Sequence, residues 1–122
     1  MEDIQYSMTR ADMQQRTKAF ALRVMAVIDH LPSGVKGRVL SDQLMRSATS
    51  VAANYRAACR ARSKREFAAK IGIALEEADE SALWLDLIVE GSLLPESRLK
   101  EIRAEANELC AILFTTWRSA RE

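Results

Sequence analysis

The strongest constraint on this chain lies between Gln43 and Leu87, where two hydrophobic seams are joined by a turn too short to let them diverge. Upstream of the turn, Leu40, Leu44, Ser47, Val51, Asn54 and Ala58 recur at steps of four and three. Downstream, Phe67, Ile71, Ala74, Ala78, Ser81, Leu85 and Ile88 do the same. This spacing puts each set on one face of a helix that packs against other helices. Between them, Ser63 followed by Glu66 reads as a capping box: Ser63 accepts from the Glu66 amide, and Glu66 reaches back to the Ser63 amide. With little more than Arg62 and Ser63 left to connect them, the two helices must run antiparallel.

The flanking sequence supplies two more helices. Residues 1 to about 8 read as a loose tail or an early helical turn. A helix follows from about Thr9 to Leu31, with Thr9 as its cap, Asp12 in the first turn, and a stripe of Met13, Thr17, Phe20, Val24, Val27 and Leu31. Pro32 forbids continuation, and Ser33-Gly34 makes the bend. The second helix spans about 37–61 and the third 64–90, ending at Gly91. Pro95-Glu96 opens a fourth over about 95–120, with Leu99, Ile102, Ala106, Leu109, Leu113, Trp117 and Ala120 as its stripe. These elements predict an all-α fold, an antiparallel up-down-up-down four-helix bundle filling residues 1–122 as one domain. Within the second helix Ser47, Ala48 and Ala52 are small enough for a close neighbour. Asn54 is the misfit: an amide at a core-facing position, expected to fix helix register.

Several function classes are excluded or disfavoured. Lys and Arg total 18 against 17 Asp and Glu, so whole-molecule attraction to a polyanion is absent and any such role must come from a local patch. Gly34 to Arg38 superficially looks like a phosphate loop. However, its spacing is wrong, no Ser or Thr follows Lys36, and no strand precedes it, so it reads as a helix–helix connection. A single histidine, His30, rules out the paired Glu-x-x-His motifs of di-iron bundles and leaves no Ser-His-Asp or Cys-His arrangement. No catalytic residue, cofactor or metal is expected. Cys59 and Cys110 lack a pairing pattern and read as small apolar residues in a reducing compartment. No run is long enough for a membrane span, and MEDIQYSMTR lacks the apolar region of a signal peptide, so the expected location is cytoplasmic.

Two surface features exceed what a bare bundle needs. At 100° per residue Ile73, Trp84 and Leu87 fall together on the third helix, roughly 120° from the core seam. They form a candidate oligomer contact, or else a wide core flank covered by the N-terminal tail. The second feature is a charge split. Arg56, Arg60, Arg62, Lys64, Arg65 and Lys70 crowd the turn, opposed by Glu66 alone, whereas Glu76, Glu77, Asp79, Glu80, Asp86 and Glu90 follow with no cation between them. Across the hairpin, Arg46 should face the neighbourhood of Asp79, with Glu76 and Glu80 one turn either way, in an ion pair or ladder that holds the second helix to the third. Arg56 and Arg60 suit a helix C-terminus, but Lys64 and Arg65 sit where the dipole disfavours cations. A polyanion, an acidic protein or neighbouring subunit, and plain solvation are the three readings of that cluster.

In combination these residues resemble a known family. Gln43, Arg46, Ser47, Ser50 and Asn54 match a Gln-x-x-Arg-(small)-x-x-Ser-x-x-x-Asn pattern, Ser63, Glu66 and Phe67 match a Ser-x-x-Glu-Phe helix start, and Glu76, Glu77 and Glu80 match a glutamate-rich segment. The pattern is similar to that of the bacterial four-helix bundle proteins called 23S ribosomal RNA intervening-sequence proteins, which are related to the accessory protein of diversity-generating retroelements. Tyr55-Arg56-Ala57-Ala58 replaces the family's commoner Ala-Glu-Gly, and Ala74-Leu75-Glu76-Glu77 replaces a Gly-Ser, so the second helix should run further here. The resemblance implies a four-helix bundle, a homo-oligomer that is often a pentamer, and association with RNA or a ribonucleoprotein rather than catalysis.

Overall fold

The computed structural model describes residues 8–122. The tail reading therefore lies almost wholly outside the described residues. Thr9 starts α1 (Arg10–Ile28): its hydroxyl accepts from the Asp12 amide, and the Asp12 carboxylate accepts from the Thr9 amide, both at 3.0 Å. Those bonds hold the Asp12 carboxyl below its ordinary value. The helix stops short of Leu31. The amides of His30 and Leu31 bond three residues back, to Val27 and Ile28, tightening the chain into a turn ahead of Pro32.

Helix α2 (Val35–Cys59) begins earlier than the sequence stripe indicates, as soon as the constraint of Pro32 is passed. Gly37, in its first turn, lies against the Pro32 backbone, where a Cβ would come within 1.8 Å of the carbonyl oxygen. The Gly34–Arg38 stretch is thus a close-packed helix start. Helix α2 also ends earlier than Ala61. It runs on through Tyr55-Arg56-Ala57-Ala58 as expected, but the amides of Arg60 and Ala61 turn to the carbonyls of Ala57 and Ala58, and the helix stops two residues short of Ala61. Helix α3 (Lys64–Glu90) is capped by Ser63, whose Oγ accepts from the Glu66 amide at 3.0 Å. The reciprocal half of the box is displaced: the turn brings the Arg62 amide, rather than that of Ser63, to the Glu66 carboxylate at 3.4 Å.

The C-terminus of α3 closes as a Schellman motif. Leu93 N–H reaches the Ile88 carbonyl at 2.9 Å and Ser92 N–H the Val89 carbonyl at 3.0 Å. The left-handed position belongs to Ser92 (φ 62°), and Gly91 has an ordinary negative φ. Gly91 is needed for space instead, since a Cβ there would sit 2.7 Å from the Leu87 carbonyl oxygen. Helix α4 (Glu96–Arg121) follows, with Pro95 as its extended N-cap, just outside the first turn.

Each helix packs on its two neighbours in a ring, α1–α2–α3–α4–α1, and among the described residues the backbones of diagonal helices stay apart; the α1–α4 side is the loosest. With short connections this is the antiparallel up-down-up-down bundle. Phe20, Val24, Leu44, Val51, Ile71, Leu85, Ile88, Leu109 and Leu113 are wholly buried in the core. Along the α2–α3 seam the buried residues are small: Ser47, Ala48, Ala74, Ala78 and Ser81. Small side chains let the two backbones approach, which makes this pair the spine of the bundle. Asn54 does not enter the core. It is half-buried, and Tyr55, nearer the middle of the stripe at 100° per residue, takes the interior position. No helix of the described residues is long and apolar enough to cross a membrane.

A β-carbon in the left-handed region costs roughly 1–2 kcal/mol. Ser92→Gly is therefore expected to stabilise the fold by about 1 kcal/mol, read as a raised midpoint in urea unfolding with an unchanged slope.

Candidate functional site

Two polar constellations stand out, one along the α2–α3 spine and one at an end of the bundle. The first is a continuous hydrogen-bond network. Ser81 Oγ donates to the Glu77 carbonyl at 2.9 Å, and Ser47 Oγ lies within hydrogen-bond distance of both Ser81 Oγ (2.8 Å) and the Leu44 carbonyl (3.3 Å). Beside this buried relay, the Glu77 carboxylate accepts from Arg46 Nη1 at 3.1 Å and from Ser50 Oγ at 3.2 Å. Asn54 Nδ2 closes the chain, donating to both Ser50 Oγ and the Ser50 carbonyl at 2.9 Å. Arg46 Nη2 also donates to Glu80. Hydrogen bonding by Glu77 raises Arg46 above its ordinary value.

The partners differ in detail from a pairing centred on Asp79. Arg46 bridges Glu77 and Glu80, which are one turn apart on the face toward α2, while Glu76 is exposed and outside the network. Asp79 projects to the α4 side of α3. There burial, reinforced by the Asp79 charge, pushes the Cys110 thiol up to about 11. Two further arginine clamps serve other helix pairs. Arg16 joins α1 to α4 through Glu105 (2.8 Å) and Glu108 (2.7 Å), and Arg103 joins α4 to α3 through Asp86 (2.9 Å). The first of these stitches the loosest side of the ring.

The outward face of α3 carries Ile73 (39% exposed), Leu83 (48%) and Leu87 (40%). Trp84 differs from this apolar strip: it is half-buried against the core, and its Nε1 is covered without a hydrogen-bond partner. Leu83 belongs to the strip and was missed in the sequence, because the charged residues beside it hide the pattern.

The second constellation is the end at which α1 and α3 begin and α2 and α4 finish. Arg56, Arg60, Arg62, Lys64 and Arg65 are all exposed there. The fold adds Arg10, Arg118 and Arg121, which are remote in sequence and so invisible to a reading of the turn alone. Arg10 lies over the Phe67 ring at 4.7 Å, Arg118 over Phe114 at 5.5 Å, and Arg121 over Trp117 at 4.6 Å. Lys64 Nζ donates to the Glu122 carbonyl at 2.7 Å, tying the start of α3 to the end of α4. Among the described residues every carboxylate ion pair goes to Arg16, Arg46 or Arg103, and none to these end cations. Between Arg10, Phe67 and Thr116 a hollow leads to Tyr55. Burial, with the neighbouring Cys59 thiol, pushes the Tyr55 phenol up to about 12. Among the described residues no His, Cys, Asp and Glu side chains gather in a group able to hold a metal.

The sequence pattern of the family described as 23S rRNA-intervening sequence protein matches residues 9–115. The chain belongs to this family. A solved protein of unknown function from the S23 ribosomal protein family of Bacteroides thetaiotaomicron is similar, with 31% identity, a TM-score of 0.79, and coverage of 85% of this chain and 96% of that one. No curated protein matches. Of the residues that carry the resemblance, Arg46, Ser47, Ser50, Asn54, Glu77 and Glu80 lie in the α2–α3 network, whereas Gln43, Ser63, Glu66, Phe67 and Glu76 do not. The network residues hold the spine together, and none of these hydrogen bonds goes to an end cation.

Glu77 sits at the hub of that network and is 16% exposed, whereas Glu80 is 43% exposed and takes only Arg46. Glu77→Ala should therefore cost about 1–2 kcal/mol in stability, and Glu80→Ala under about 0.5 kcal/mol. Urea unfolding of the two variants side by side checks the order.

Proposed function

We propose that this protein is a non-enzymatic, homo-oligomeric helical bundle that associates with RNA, free or within a ribonucleoprotein, through its basic end. The observation that carries this reading is the gathering of Arg56, Arg60, Arg62, Lys64 and Arg65 with Arg10, Arg118 and Arg121 at one end, with no carboxylate ion pair among the described residues. The net charge of the chain is +1, so this end is a local field on a nearly neutral body. Lys64 and Arg65 occupy the first turn of α3, where the helix dipole disfavours cations by about 0.3–1 kcal/mol each. Lys64 has a fold contact in the Glu122 carbonyl, whereas no such contact holds Arg65, and a polyanion would offset the dipole cost of both. The family description, which places relatives in the context of 23S rRNA intervening sequences, fits an RNA ligand.

Oligomerisation is assigned to the apolar strip of α3. Leu83 and Leu87 are exposed one turn apart with Trp84 at their flank, Ile73 is exposed further toward the start of the same helix, and the family resemblance implies a ring, often of five copies. This strip leaves the basic end open in each copy.

Five phosphate contacts on single-stranded RNA give a slope of log K against log salt of about −3.5. Neutralising three cations in Arg60→Gln/Arg62→Gln/Arg65→Gln should flatten that slope by about 2, and Arg60→Glu/Arg62→Glu/Arg65→Glu should abolish binding with helicity intact. Binding indifferent to salt, or none by the parent protein, contradicts the proposal. A charge-reversed variant that keeps its RNA but changes its light-scattering mass would instead show these cations meeting the acidic face of a neighbouring copy.

A further inference from the structure

The basic end also carries aromatic rings, and their arrangement bears on which form of RNA it takes. Phe67, Phe114 and Trp117 all lie at this end, each with a guanidinium over its face. Phe114 and Trp117 are adjacent, with centroids 6.1 Å apart and planes tilted by 39°. Trp117 forms one wall of a groove of about 550 Å³ between the start of α3 and the end of α4. Ala68, Ala69 and Ala120 give its lining an apolar part, and Lys64, Arg65 and Arg121 line it too, with Glu122 as the one acidic residue. Gly72 lets the indole lie close on α3, since a Cβ there would come within 3.2 Å of Trp117 Nε1.

Resting on the RNA reading above, we infer that this groove is a stacking site for unpaired bases, so that the basic end selects single-stranded or looped RNA over duplex. A duplex offers phosphates but keeps its base faces stacked inside, and rings at the surface gain nothing from it. An unpaired base presents a π-face. It displaces the Arg121 guanidinium from Trp117, and the released arginine turns to a phosphate beside Lys64 and Arg65. Stacking on aromatic side chains tolerates any base, so the expected preference is for strandedness rather than sequence. A purely electrostatic end would need cations alone. Arginines held over rings, beside a groove lined in part by alanine, add shape for a planar ligand.

The chain contains two tryptophans, so in Trp84→Phe protein Trp117 is the single emitter. Titrating that protein with a short oligouridine and with a duplex RNA of equal length tests the site. Quenching of Trp117 by the oligouridine and not by the duplex is expected. Trp117→Leu should weaken single-strand binding roughly tenfold or more while leaving duplex affinity and the salt slope in place. Trp117→Phe should recover most of the loss, which separates a missing ring from a damaged fold. No quenching, or an equal loss for both RNA forms, overturns the stacking site while leaving RNA association standing. Failure of the parent protein to hold either RNA defeats both.

Discussion

The close approach of α2 and α3 is the constraint on which the rest of the molecule depends. Ser47, Ala48, Ala74, Ala78 and Ser81 are wholly buried along that seam, and none is large enough to hold the backbones apart. Closeness has a consequence: two hydroxyls end up away from water. They are satisfied by one another and by the Glu77 carbonyl, so no polar group in the seam is left unpaired. On the outside of the seam Arg46, Glu77, Ser50 and Asn54 continue the same network toward solvent. Small residues bring the helices together, and the polar chain fixes their register, since a slide along either axis would break several bonds at once. The remaining helices then have a rigid pair to pack against. Helix α4 lies closely on α3, whereas α1 meets α4 loosely and is held there by Arg16.

The arginines also divide along the molecule. Three arginines along the bundle sides, Arg16, Arg46 and Arg103, are committed to carboxylates, and their charges are spent on helix–helix contacts. Arginines at the end where α2 turns into α3 meet aromatic faces or solvent instead. A guanidinium on a ring keeps its full charge and gives up little hydration, so it remains available to an incoming anion. The same residue type thus does two jobs, and the presence or absence of a carboxylate across the helix interface decides which.

The periodic apolar residues made much of this legible in the sequence. Steps of three and four define a core whatever the neighbours do, so the stripes of Leu44 and Val51, Ile71 and Leu85, and Leu109 and Leu113 translate directly into buried layers. What escaped depends on small rotations and on pairs distant along the chain. Asn54 lies only one residue from Tyr55, and a rotation of part of a turn decides which of them is inside. The expected Arg46 ladder forms and includes Glu80, but its second partner is Glu77 and not Asp79 or Glu76, because a hairpin sum locates a neighbourhood and not a face. The end cluster was legible only in its local part, Arg56 to Arg65. Arg10, Arg118 and Arg121 join it because the topology returns the start of α1 and the end of α4 to the same place. Ser92 illustrates a different limit: Gly91 is the residue type favoured for a left-handed turn, yet contact with the Leu87 carbonyl uses it for space and passes the strained conformation to its neighbour.

The two indole groups mark opposite regions of the molecule, Trp117 at the basic end and Trp84 some twenty residues into α3, roughly 30 Å from its start at 1.5 Å per residue. Their N–H signals in a nitrogen–proton correlation spectrum, followed during addition of single-stranded RNA at low salt, test the location of binding most directly. The account predicts that the Trp117 indole and the arginine side-chain signals of the α2–α3 turn move while the Trp84 indole stays in place. Movement of Trp84 with Trp117 unchanged would put the RNA on the outer face of α3 and contradict it.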